Sequence, residues 1–173
     1  VGPESSGRSL RLWDFVSGNC VRLMTGHKST VLVISFSPDG RFIASGSGDR
    51  RVLVWDIAYG HLLAELSHHN NIISGLAFSR EGTVLVSSAI GTFIFLSSIV
   101  HPIIFIDSTI AIWDFAKLTN EASLEDVNVT HNPDVIKESE KLLLGNYRSK
   151  NTPVLLLHFT RRNLLLTSGP FEG

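Results

Sequence analysis

His27, Ser45 and Asp49 are the three side-chain types of a hydrolytic relay, and Trp55 follows ten residues after Ser45. In such a relay the imidazole takes the serine proton while the carboxylate orients the imidazole. Two observations oppose that chemistry. No glycine motif able to build an oxyanion hole stands beside Ser45. The same four types also return as His69, Ser87, Asp107 and Trp113, and a set that recurs at a fixed period belongs to architecture. Buried indole, imidazole and carboxylate groups each need a partner, and meeting one another's needs locks a fold. A structural network is the expectation, and no catalytic residue is assigned.

Other reactive types are sparse. His68 and His69 adjoin, but no cysteine or carboxylate stands at ligand spacing, so no metal is expected. They read as a loop pair with one ring turned inward. Arg161 and Arg162 read as a solvated turn. Asn128-Val-Thr fits the glycosylation pattern, which an intracellular chain would never present to that machinery. No cofactor or small-molecule substrate is implied.

The chain of 173 residues is long enough for one domain with a real core. A formal net charge of -1 and a pI near 6.7 argue against direct nucleic-acid binding through bulk charge. Its single cysteine, Cys20, excludes an internal disulfide framework and fits a reducing compartment. The opening "VGPESSGRSL" has no signal-peptide core and no initiator Met, so the sequence is expected to begin mid-protein.

Two stretches align without a gap, "TGHKSTVLVISFSPDGRFIASGS" from Thr25 and "SHHNNIISGLAFSREGTVLVSSA" from Ser67. Phe36 and Phe78, Gly40 and Gly82, and Trp13 and Trp55 all stand 42 residues apart. Trp55 to Trp113 is 58, an excess of 16 that falls on residues 91–106, "GTFIFLSSIVHPIIFI". The repeat then resumes, "DSTIAIWDF" at Asp107 matching "DRRVLVWDI" at Asp49. In "RVLVWD" both faces of the alternation are apolar, as in a strand covered on both sides. "SPDG" and "SREG" are tight turns closed by glycine. Strands are expected at 8–14, 19–24, 31–36, 41–46, 51–56, 61–66, 72–78, 83–88 and 108–114. Residues 115–141 carry six acidic and three basic residues and read as a long acidic loop. "KLLLGNY", "PVLLLHF" and "NLLLTSG" are expected to give an outer and two inner strands of a last unit, 142–169.

The period, with Gly-His near its start and Trp-Asp at its end, resembles the WD-repeat family of β-propellers. The fold class implied is all-β, a partial propeller over 1–173 of about three blades and an incomplete one (8–24, 25–66, 67–114 and 142–169). In that family the four recurring positions form the network of the blade, His to Asp, with Ser and the indole completing it. The insertion falls between Ser87 and Asp107 and puts the second network in doubt. "NTPVLLLHFTRRNLLL" at 151–166, with a long loop after Trp113, is more specific and is similar to the C-terminal region of the TFIID subunit 5 family of TBP-associated factors. That resemblance implies a non-catalytic scaffold in the nucleus, with other TFIID subunits, including histone-fold TBP-associated factors, as partners. WD-repeat subunits of SAGA-type acetyltransferase complexes and ubiquitin-ligase substrate receptors are the alternatives. Lys28, Arg50, Asn70 and Asn71, in loops on one face, are the expected contacts.

The 24 residues from Thr83 to Ile106, which include the run at 91–106, carry no Asp, Glu, Lys or Arg, a stretch long enough to suggest a membrane span. A span would put two strands of one hairpin on opposite sides of a bilayer, so no membrane role is expected. A natural loop of this composition would expose a large apolar patch. A retained intron is the preferred reading, since its Phe, Ile, Leu, Ser and Val are all written by U-rich codons. Sequencing the mature transcript decides it; spliced messages that keep these codons in frame overturn it.

Overall fold

A strand that is apolar on both faces must be covered on both sides, and the fold meets this by packing sheets face to face. A computed structural model describes residues 7–90, 92–93, 105–106, 109–125, 139–149 and 154–169. β1 (Ser9–Trp13) and β2 (Cys20–Thr25) form a two-stranded sheet. β3 (Val31–Phe36), β4 (Phe42–Ser47), β5 (Arg51–Asp56) and β6 (Leu62–Ser67) form a four-stranded antiparallel sheet in chain order.

The next sheet repeats that plan with β7 (Ile73–Phe78), β8 (Val84–Ala89), then β11 (Thr109–Asp114) and β12 (Leu143–Arg148). Between them, β9 (Thr92–Phe93) and β10 (Phe105–Ile106) pair antiparallel, Thr92 with Ile106 and Phe93 with Phe105. The two ends of the insertion thus run side by side beyond the β8–β11 hairpin. β13 (Leu156–Phe159) and β14 (Leu165–Ser168) make a final two-stranded sheet. Two complete four-stranded units flanked by two half units constitute part of a β-propeller.

Alternation along each strand divides the core into seams. Leu53 and Trp55 of β5 pack with Ile43, Leu10 and Met24 toward the first sheet. Val52 and Val54, from the opposite face of β5, join Ile73, Leu76, Phe78, Ala111 and Trp113 of the third. Val86 and Ala77 meet Val154 and Leu157 of the last. The hairpin turns repeat as well. Gly40 at φ 72° and Gly82 at φ 70° occupy the left-handed region that glycine enters without a Cβ clash, and their amides donate to Ser37 and Ser79 carbonyls.

Two expectations need correction. Residues 115–141 are expected to be one loop, but Phe115–Glu125 form helix α1 and Ser139–Leu142 a 3-10 turn, while 126–138 lie outside the described residues. The reason lies in two signals that the charge count hides. Asp114 Oδ1 accepts the Lys117 amide at 2.9 Å, an N-cap. Phe115 and Leu118, one helical turn apart, are buried in the second seam with Leu142, and the Phe115 ring meets Phe42 and Phe78 edge-on. The second correction concerns "KLLLGNY", grouped above with the last unit at 142–169. Its β12 instead pairs with β11, Ile110 opposite Tyr147 and Ile112 opposite Gly145, as the outer strand of the third sheet.

No helix among the described residues is long and apolar enough to cross a membrane. The expected apolar patch of the insertion falls mainly on residues 94–104, outside the described residues.

Candidate structural network and loop face

Sheet pairing carries the four chemistry-bearing residues of the first set to one place. β4 and β5 align Ser45 with Leu53 and Ile43 with Trp55, so Ser45 and the indole share the face toward the first sheet. His27 arrives from the loop before β3, and Asp49 from the β4–β5 turn. His27 Nδ1 lies 2.9 Å from Asp49 Oδ2, and Nε2 lies 2.8 Å from Ser45 Oγ. A carboxylate only accepts, so Nδ1 carries the proton toward Asp49. Trp55 Nε1–H donates to Ser45 Oγ at 2.8 Å. Ser45 is fully buried and its hydroxyl also lies 3.3 Å from the Leu53 carbonyl.

The geometry is that of a relay without access. The serine oxygen is committed to the indole and enclosed by the seam, where a nucleophile must meet substrate. What the chain of bonds achieves is to tie the loop at His27, the turn at Asp49 and the middle of the sheet together.

Asp49 receives more than the imidazole. The Lys28 amide donates to Oδ2 at 2.7 Å and the Arg51 amide to Oδ1 at 3.1 Å. Burial alone would raise this carboxyl, but the Lys28 amide, the His27 ring and the Arg51 amide outweigh it and hold the group below its ordinary 3.8. A carboxyl whose folded pKa is depressed contributes stability that is present above its unfolded pKa and lost as pH falls through the folded value. The wild-type chain should therefore lose part of its stability below about pH 4, and Asp49→Asn should be less stable near neutrality with a flatter acid limb. Thermal melts from pH 3 to 7 check this; parallel curves for the two proteins would contradict it.

The second set departs from the first. His69 Nε2 lies 2.7 Å from Ser87 Oγ, and Trp113 Nε1–H donates to the same oxygen at 2.8 Å. His69 Nδ1 lies 2.9 Å from Thr109 Oγ1, a residue the sequence reading did not single out. Asp107 lies outside the described residues. The available signal for Thr109 was its place four residues before Trp113, at the start of a strand, where a hydroxyl can face the loop histidine.

Trp13, the first of the three periodic tryptophans, is 56% exposed, against 2% for Trp55 and 1% for Trp113. Each of the other two meets a serine from the adjacent strand, and among the described residues no such strand precedes β1.

Of the residues expected to make contacts, Lys28 contributes its amide to Asp49 while its side chain is exposed. Asn71 Oδ1 accepts the Ile72 amide at 2.8 Å. Arg50 and Asn70 come together at a cleft of about 280 Å³ between the β4–β5 turn and the loop after β6, with Asp49, Arg51 and His68. Arg51 is spoken for by Glu65, 2.6 Å away. His68 turns its ring edge-on to Trp113, and His69 is the member of the pair that bonds inward. No group of three or more His, Cys, Asp or Glu able to hold a metal occurs among the described residues.

Comparison with known proteins places these features. A family model described as WD domain, G-beta repeat matches residues 18–56 and 60–114. Transcription initiation factor TFIID subunit 5 of Caenorhabditis elegans is 34% identical over 174 residues, covering 99% of this chain and 24% of that protein. Its Drosophila melanogaster counterpart is 38% identical over 59 residues, 34% of this chain and 8% of that one. Nuclear distribution protein PAC1 of Coccidioides posadasii (strain C735) is 40% identical over 50 residues, 29% of this chain and 11% of that protein. The chain spans 24% or less of the length of each of these relatives.

Proposed function

The chain belongs to the WD-repeat family, and from that premise we propose that it is a non-catalytic, nuclear scaffold subunit of a TFIID-type assembly in transcription initiation. The observation that carries this reading is the extent of likeness to the nematode TFIID subunit 5, which takes in 99% of the chain. The PAC1 likeness of 50 residues is about the length of one repeat and reports the common blade. The side-chain chemistry agrees with a scaffold, because the Ser45 and Ser87 hydroxyls are consumed inside the sheets. Rigid sheets that present loops on one face offer a wide surface without any reactive group.

Partners are other subunits of the assembly, histone-fold TBP-associated factors among them, and loop residues Lys28, Arg50, Asn70 and Asn71 supply contacts. Affinity purification of the full-length protein from nuclear extract tests this. Recovery of TBP and histone-fold subunits is the expected result. Recovery of acetyltransferase subunits or a cullin adaptor in their place would overturn it.

A further inference from the structure

The cleft between the β4–β5 turn and the loop after β6 holds one charged side chain with no bonding partner among the described residues. Asp49 is met by two backbone amides and the His27 ring, and Arg51 by Glu65. The Arg50 guanidinium, exposed at the mouth, has no hydrogen bond or ion pair among the described residues. Its backbone stands at φ 72°, in the region that disfavours side chains with a Cβ. Glycine would make the same turn without that cost. A long cation held in a strained turn, with its charge unused, is a feature that packing does not explain. Beside it, the half-buried His68 ring is fixed against Trp113, with centroids 6.2 Å apart, and its nitrogens have no hydrogen-bond partner among the described residues.

We propose that this cleft docks an acidic peptide segment of a partner protein, Arg50 forking a carboxylate and His68 offering a second hydrogen bond. The inference rests on the scaffold reading and gives its contact surface a chemistry. Arginine's planar fork matches a carboxylate with two parallel bonds. The volume of about 280 Å³ accommodates a side chain of that size. A monoanion is favoured over a phosphate dianion because the Asp49 carboxylate lines the same cleft and repels the larger charge more strongly. The chain's net charge of -1 disfavours a nucleic acid as occupant.

Fluorescence anisotropy on the purified full-length protein tests the proposal, with a labelled hexaglutamate peptide as probe. Binding should weaken at least tenfold in Arg50→Gly and Arg50→Glu. Arg50→Gly should melt at or above the wild-type temperature, since the turn loses its strain; this separates lost contact from lost fold. Arg162→Glu, an equal charge change in the β13–β14 turn, should bind as wild type does. Failure of the wild type to bind hexaglutamate, or equal binding by Arg50→Glu, overturns the proposal. So does preference for a phosphoserine peptide or a single-stranded oligonucleotide. A protein that binds hexaglutamate through Arg50 yet recovers no TFIID subunits keeps the cleft and overturns the assembly.

Discussion

Ser45→Ala should lower the thermal midpoint sharply and leave no catalytic deficit to measure. The change deletes one oxygen and strands two buried groups, the Trp55 indole N–H and the His27 Nε2. Each unpartnered buried group costs about 1–3 kcal/mol, so the loss should be about 2–6 kcal/mol. At about 2–4 °C per kcal/mol for a chain of this size, that is roughly 4–24 °C in the midpoint. Trp55→Phe alone removes the donor and leaves the oxygen with other partners. Combined with Ser45→Ala it should cost clearly less than the sum, because the two changes share one bond.

Ser87→Ala supplies the sharper discrimination, since Ser87 meets His69 and Trp113 as Ser45 meets His27 and Trp55. A structural network predicts comparable loss at both serines. A hydrolase would depend on one and not the other. A turnover that vanishes in Ser45→Ala while its melt stays at the wild-type temperature would sink the network.

Residues that recur were legible in the sequence, because a 42-residue period exposes any position that two repeats share. His27, Ser45, Asp49 and Trp55 meet as a set, and the strand pairings around Ser45 and Trp55 follow from alternation alone. Thr109 was only faintly legible, through its place four residues before Trp113, since its role arises from strand register at the end of an insertion that the first repeat lacks. Helix α1 was hidden for another reason. Its signal is three residues, the Asp114 cap with Phe115 and Leu118 one turn apart, inside a segment whose overall charge suggests solvent. The outer position of β12 depends on which edge is free, and β11 offers one while its other side already pairs with β8. That is a property of the assembled sheet, which local pattern does not carry. Arg50 is a similar case, because its backbone angle and its lack of a partner among the described residues appear only once the turn is built.

Gly46→Ala should open the seam between the second and third sheets, and Gly46→Val should do so more severely. The backbone angle at Gly46 is not the reason; space is. A Cβ placed there meets Ile73 Cγ2 in hard overlap, with Val33 Cγ1 at 2.8 Å and Ile73 Cβ at 2.9 Å. These are not free ends of long side chains. Both neighbours are β-branched and stiff about χ1, and both lie on strands that are themselves paired. Relief must therefore come from moving β7 away from β4, which unpacks the cluster containing Val52, Val54, Leu76 and Trp113. Overpacking of this kind costs about 1–3 kcal/mol for one added carbon, and the branched valine should exceed it. Ile73→Ala removes the obstructing methyl at the expense of a cavity, so it destabilises alone, by about 2–5 kcal/mol. Together the two changes should be strongly non-additive, Gly46→Ala costing little once Ile73 is alanine. Chemical denaturation of the four proteins of that cycle measures the coupling; strictly additive losses would mean that this seam does not hold the two sheets at the distance described.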